Sequence, residues 1–131
     1  LFFIVRIASV TRIEPIELPP VAESRLRVEG WRIFGSLFFG SVNRLEPLLD
    51  PARQTADVMI LDLHQLINLD TTGLDALQSL HRALAKHGER LIIVGANTQP
   101  LSLMERAGFF AAAGEDAFFG TMEEALQALG D

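Results

Sequence analysis

VMILDLHQLINLDTTGLDALQSL, residues 58–80, decides the fold. Val58-Met59-Ile60-Leu61 is an uninterrupted apolar run, the pattern of a strand covered on both faces, and Leu74, Leu77, Leu80 and Leu84 then recur at helical spacing. Between strand and helix lies Asp70-Thr71-Thr72-Gly73, read as a small hydroxyl-rich turn from which Gly73 opens the helix. Such a turn presents free backbone N–H groups and a partial positive charge, so it either caps itself or receives an anion. Recognition is therefore expected near Asp70, Thr71, Thr72, Gly73 and Leu74.

Working outward, Gly88 suits the C-terminal cap of that helix, and Arg90-Leu91-Ile92-Ile93-Val94-Gly95 reads as a second buried strand. Strand, helix and strand in that order predict adjacent parallel strands over Val58–Leu63 and Leu91–Val94, joined by a right-handed crossover. Pro100 fits the first position of a further helix, Leu101 to Arg106, closed by Gly108. Phe118-Phe119 offers an edge strand, and Thr121-Met122-Glu123-Glu124 is a capping box for a last helix that turns Ala125, Leu126 and Leu129 inward. Upstream, Arg25-Leu26-Arg27-Val28 and Trp31-Arg32-Ile33-Phe34 both alternate around Glu29-Gly30, which predicts a two-stranded antiparallel start. Ser36 to Gly40 reads as a loop under the sheet edge, because adjacent phenylalanines cannot share one face of a strand. Val42, Leu45, Leu48 and Leu49 give a short helix kinked at Pro47.

About half of the 131 residues are hydrophobic (49%), enough for one compact core and a single domain. The net charge of −6 provides no basic stripe for phosphate backbones, so nucleic acid is excluded as a partner class. With no cysteine, disulfides, thiolate metal sites and cysteine nucleophiles are excluded together. No GxSxG, P-loop, GxGxxG or HExxH motif occurs.

Leu1-Phe2-Phe3-Ile4-Val5 is strongly apolar but too short to span a bilayer or to form a signal peptide. Two readings stand side by side: the last turn of a membrane helix with Arg6 and Arg12 on its cytoplasmic side, or an ordinary strand with two solvated arginines. Ile13 to Glu23, with Pro15, Pro19 and Pro20, is expected to be an extended connector, and the globular part to begin at Ser24. The expected division is thus 1–23 as juxtamembrane segment and connector, and 24–131 as domain.

Asp62, His64 and Asp70 gather at the end of the central strand, where open α/β sheets bind ligands, yet their spacing matches no metal or acid–base motif. No metal site and no catalytic residue is expected. Thr72 carries two compatible readings. Its hydroxyl caps the helix with Asp75 completing the pattern, or it is phosphorylated, as Thr71 would be, and the phosphate, repelled by Asp70 and Asp75, dislodges a docked partner. The phenylalanine pairs 109–110 and 118–119 read as core, and Leu37-Phe38-Phe39-Gly40 as a candidate interaction loop.

Asp70-Thr71-Thr72-Gly73-Leu74 after a VMILDL strand resembles the D-[ST]-[ST]-G turn of STAS domains, the fold shared by anti-sigma-factor antagonists and the C-terminal cytoplasmic part of SulP anion transporters. The resemblance runs from about Arg25 to Leu129. Trp31 to Gly40, the Pro100-Leu101-x-x-Met104-Glu105-Arg106-Ala107-Gly108 segment and the apolar, arginine-bearing start resemble the transporter branch. The resemblance implies an α/β fold with a central mixed sheet flanked by helices, no catalysis and no cofactor. It further implies regulation, targeting or assembly of a sulfate or related anion transporter on the cytoplasmic side of the bacterial inner membrane. The implied partners are the transporter's own membrane domain, a homodimer formed through the full-length protein, and a weakly held nucleotide or anion. In the antagonists the hydroxyl before the glycine is phosphorylated, which corresponds to Thr72, and a soluble phospho-switch of that kind is the alternative reading.

Overall fold

The computed structural model describes residues 11–19, 25–38, 45–48 and 56–130. Six strands form one mixed sheet: β1 (Arg12–Ile16), β2 (Val28–Leu37), β3 (Val58–Asp62), β4 (Leu66–Leu69), β5 (Arg90–Val94) and β6 (Phe118–Phe119). Four helices accompany them: α1 (Thr71–Lys86), α2 (Thr98–Arg106), α3 (Phe109–Ala113) and α4 (Met122–Gly130). The strand order is β1-β2-β3-β5-β6, with β4 pairing along β2 beyond β3.

The apolar runs are central because both of their faces are covered. Met59 and Leu61 of β3, with Leu91 and Ile93 of β5, face a core shared with Leu74, Leu77, Leu80 and Leu84 of α1, Met104 of α2 and Phe109 of α3. The alternate residues Val58, Ile60, Ile92 and Val94 face Ala125 and Leu129 of α4. Each large side chain so buried stabilises the fold by about 1.5–3 kcal/mol relative to exposure. As predicted, β3 and β5 are adjacent and parallel, Val58 opposite Arg90 and Asp62 opposite Val94. Gly88 adopts the left-handed conformation just past α1, with φ 76°. The capping box of α4 is complete: Thr121 Oγ1 accepts from Glu124 N at 3.1 Å, and Glu124 Oε1 accepts from Thr121 N at 3.0 Å.

Three expectations change. The antiparallel start is not a hairpin about Glu29-Gly30: β2 runs through both residues, and its antiparallel partner is β1, which lies in the stretch expected to be a connector. Gly30 stands opposite Ile16 in the pairing, and the side chains of Ile16 and Leu18 occupy the space over it; a Cβ would stand 2.8 Å from Ile16 Cγ1. Pro15 is tolerated because β1 is an outer strand, and the Arg12 guanidinium lies 3.9 Å from the ring centroid of its cross-strand partner Phe34. Second, a further strand, β4, intervenes between β3 and α1, parallel to the end of β2 past a register shift at Gly35/Ser36. Ser36 and Leu37 are consequently strand and not loop. Third, α2 begins at Thr98, so Pro100 is its third residue. Leu45–Leu48 is a single 3₁₀ turn holding Pro47; the rest of that expected helix lies outside the described residues.

Candidate functional site

β2, β4 and α1 meet at one corner. The carbonyl of Leu37, the last residue of β2, accepts from Asp70 N at 3.2 Å, and Leu69 is held on both sides by the Gln99 side chain of α2. Gln99 Oε1 accepts from Leu69 N and Gln99 Nε2 donates to Leu69 O, each at 2.8 Å. Asn97, just before α2, donates through Nδ2 to the carbonyls of His64 and Leu66. The strand leading into the turn is therefore clamped by side chains that supply the partners a short strand lacks.

Asp70, not Thr72, is the cap. Its backbone is extended, with φ −103° and ψ 179°, and its Oδ1 accepts from Gly73 N at 2.8 Å, which satisfies one of the orphan donors of the first turn. The helix accordingly opens at Thr71 and Gly73 is its third residue. Gly73 is required by proximity and not by its dihedral angles: a Cβ there would lie 2.4 Å from the Leu37 carbonyl oxygen. Thr71 is exposed, Thr72 half-buried, and Gly73 and Leu74 buried. Two apolar side chains are exposed close by in the chain, Ile67 of β4 at 68% and Phe38 after β2 at 38%. In the expected interaction loop Leu37 is wholly buried, so it is core and not contact surface; Phe39 and Gly40 lie outside the described residues.

The chain joins the sheet at this same corner. The Thr11 hydroxyl donates to the Ser36 carbonyl, one residue before the Leu37 carbonyl that receives Asp70 N.

A second cluster joins two of the three residues read at the strand end, Asp62 and His64, to Arg32, which the sequence did not point to. Asp62, 4% exposed, receives Arg32 Nε at 2.9 Å on Oδ2, and on Oδ1 both the His64 backbone N–H at 3.0 Å and His64 Nδ1 at 2.7 Å. Burial alone would push the Asp62 carboxyl up, but the His64 backbone N–H, the His64 ring and Arg32 outweigh it and hold the carboxyl below the usual carboxylate range. The His64 ring lies over the bare backbone of Gly95, where a Cβ would be 2.3 Å from Cε1. Beside it opens a cavity of about 470 Å³ walled by Ile93, Phe110, Phe118 and Phe119, with Leu101 at its rim. A D-x-H spacing at a strand end was the available signal; Arg32 and Gly95 are too distant in sequence to have been joined to it. Asp70 stays with its own cap, and no three metal-ligating side chains gather among the described residues. Phe109 packs edge-on to Phe118 and to His81, in keeping with a core role.

The STAS domain model matches residues 21–125, most of the chain. The chain belongs to the STAS domain family. Among curated relatives, "Putative sulfate transporter YvdB" of Bacillus subtilis (strain 168) is 33% identical over 126 residues, covering 94% of this STAS domain but 24% of that protein. The chain thus spans about a quarter of that relative's length. A sulfate transporter family protein from Wolinella succinogenes superposes with a TM-score of 0.71 at 32% identity, covering 78% of this chain and 84% of that one. The SulP transporter STAS domain of Vibrio cholerae gives 0.65 at 27% identity, covering 77% of each chain. An anti-sigma factor antagonist from Mycobacterium paratuberculosis matches at 0.74 but 15% identity, covering 94% and 97%, a likeness of fold alone.

Proposed function

We propose that this STAS domain is the cytoplasmic regulatory and interaction domain of a SulP-type secondary anion transporter, a non-catalytic module that modulates transport, assembly or membrane targeting. Residues 1–23 serve as the lead-in from the membrane part, with Arg12–Ile16 of that lead-in docked on the sheet, and 24–131 form the rest of the domain. The observation that carries the reading is the meeting of Thr11, Ser36, Leu37 and Asp70 at one corner. A chain arriving there from a membrane domain brings the Asp70–Gly73 turn, exposed Thr71, Phe38 and Ile67 toward it. Tethering then holds these groups at high effective concentration near the transporter's inner face, so a weak contact suffices to bias which conformation is populated. The identity with sulfate transporters supports the branch, and the transported anion would be selected in the membrane part.

Exposure of Thr71 favours a second, compatible reading in which a kinase phosphorylates the turn, at Thr71 or, after slight opening, at Thr72. The added charge would face Asp70 and Asp75 and weaken docking.

The test uses the full-length membrane protein. Removal from Thr11 onward, or Thr72→Glu, should change uptake rate, oligomeric state or membrane abundance while ion preference stays the same. If both variants match the parent in all three, the regulatory reading fails.

A further inference from the structure

The cavity beside His64 plays no part in the docking turn, and its chemistry is specific. Its walls are aromatic and aliphatic, its volume of about 470 Å³ lies in the range of small-molecule sites, and it opens at the C-terminal ends of β3 and β5, where parallel strands leave room for ligands. One side chain on its lining can exchange a proton: His64. Asp62 accepts from Nδ1, which fixes that ring nitrogen as N–H and leaves Nε2 an acceptor without a hydrogen-bond partner among the described residues. Arg32 in turn holds the other Asp62 oxygen, so the ring is oriented by a buried, doubly held carboxylate. Gly95 and Gly120 are both on the lining, and at Gly95 a Cβ would stand 2.3 Å from His64 Cε1, so glycine is what lets the ring take this position. At the Gly120 rim Glu124 carries a negative charge committed to Thr121. At the His64 end the Asp62 carboxylate is offset by the Arg32 guanidinium bonded to it, so an acidic head meets less repulsion there than at the Gly120 end.

We infer that this cavity is a binding site for a small carboxylic acid with an apolar body, a medium-chain or aromatic acid, whose carboxyl group meets His64 Nε2 while its body lies against Phe110, Phe118 and Phe119. An acid suits the dyad in both proton positions. Its O–H donates to the Nε2 lone pair; if the proton crosses, the O–H bond is replaced by an Nε2–H bond, and the carboxylate accepts from that N–H while Asp62 still accepts from Nδ1. An ester offers neither arrangement, and an alcohol offers only the first. The site stands apart from the transporter reading and would hold in a STAS domain of either kind.

The test titrates the 131-residue chain with sodium octanoate, methyl octanoate and 1-octanol, each below its aggregation concentration, while amide and imidazole nitrogen shifts are followed. Octanoate should move the amides of Gly95, Ala96, Phe119 and Gly120 together with the His64 ring nitrogens. It should bind about tenfold or more tighter than the ester and measurably tighter than the alcohol. His64→Ala should reduce octanoate to the level of the ester, and Ala96→Leu, which fills the cavity and leaves His64 in place, should remove binding of all three. Equal affinity for acid and ester, shifts outside the cavity, or no shift at millimolar octanoate would each overturn the assignment. Because the acid-to-ester comparison and Ala96→Leu do not need the His64 variant to fold, the outcome stands whatever that variant does.

Discussion

The third residue of α1, Gly73, lies against the carbonyl of Leu37 so closely that a single added carbon would stand 2.4 Å from the oxygen and 2.9 Å from the carbonyl carbon. Both obstacles are backbone, and the same carbonyl is already bonded to Asp70 N. Gly73→Ala is expected to cost about 1–3 kcal/mol, the range for overpacking a filled site, and to separate α1 from the end of β2. The comparison is Gly88→Ala, where nothing lies within 4 Å and only the left-handed backbone resists, at about 1–2 kcal/mol. Urea denaturation gives both values; amide shifts at Leu37 and Asp70 should change in the first variant and stay fixed in the second.

Asp70→Ala removes the side-chain acceptor for Gly73 N and should lower stability by about 1 kcal/mol, with Asp70→Asn recovering most of it. Thr72→Ala, which removes no cap, should leave stability within about 0.5 kcal/mol. Were Thr72→Ala the more damaging of the two, the assignment of the cap to Asp70 would be wrong.

Gln99→Ala strips both partners from Leu69 at once and should cost about 1–3 kcal/mol. Gln99→Glu is no remedy, because a carboxylate can still accept from Leu69 N but cannot donate to Leu69 O. Hydrogen exchange at Leu69 and Asp70 should accelerate in both variants more than at Ile92, in the centre of the sheet. Uniform acceleration would show that the clamp has no local role.

Asp62 makes stability depend on acid. Its folded carboxyl titrates below the unfolded one, so the unfolded chain binds more protons in that interval and stability rises with pH. The contribution is complete above the unfolded value of about 3.9 and is lost as pH falls through the lower, folded value. Asp62→Asn should therefore lower stability at neutral pH and flatten the decline between pH 5 and pH 2, read from urea midpoints across that range. An unchanged slope would mean that other carboxylates carry the acid limb.

What sequence could reveal here followed from local pattern. β3, β5 and α1 were legible because an apolar run and a 3.6-residue period each declare themselves without a partner, and the box at Thr121 is complete within four residues. β1 was hidden by Pro15 and its charges, which suit an outer strand as well as a connector. β4 was hidden because only Leu66 and Leu69 of its four residues are buried, with Ile67 turned to solvent. Gly30 signalled a turn but lies within β2, where it leaves room for the side chain of its cross-strand partner Ile16. At the site the turn was legible and its cap was not, since Asp70, Thr71 and Thr72 are all competent capping residues. The Arg32–Asp62–His64 cluster and the Gly95 floor depend on pairings some thirty residues apart, which no window of sequence contains.

The junction of Thr11 with Ser36 also has a geometric consequence. Any rotation of the domain about that junction moves each atom in proportion to its distance from it. Thr71 is close to the pivot, while the far end of α1, Lys86, is about 22 Å further along the helix axis. In the tethered arrangement proposed above, a tilt of the domain about this corner would carry the far end of α1 through a wide arc and displace the Asp70–Gly73 turn little, as with a lever whose working surface lies beside its hinge.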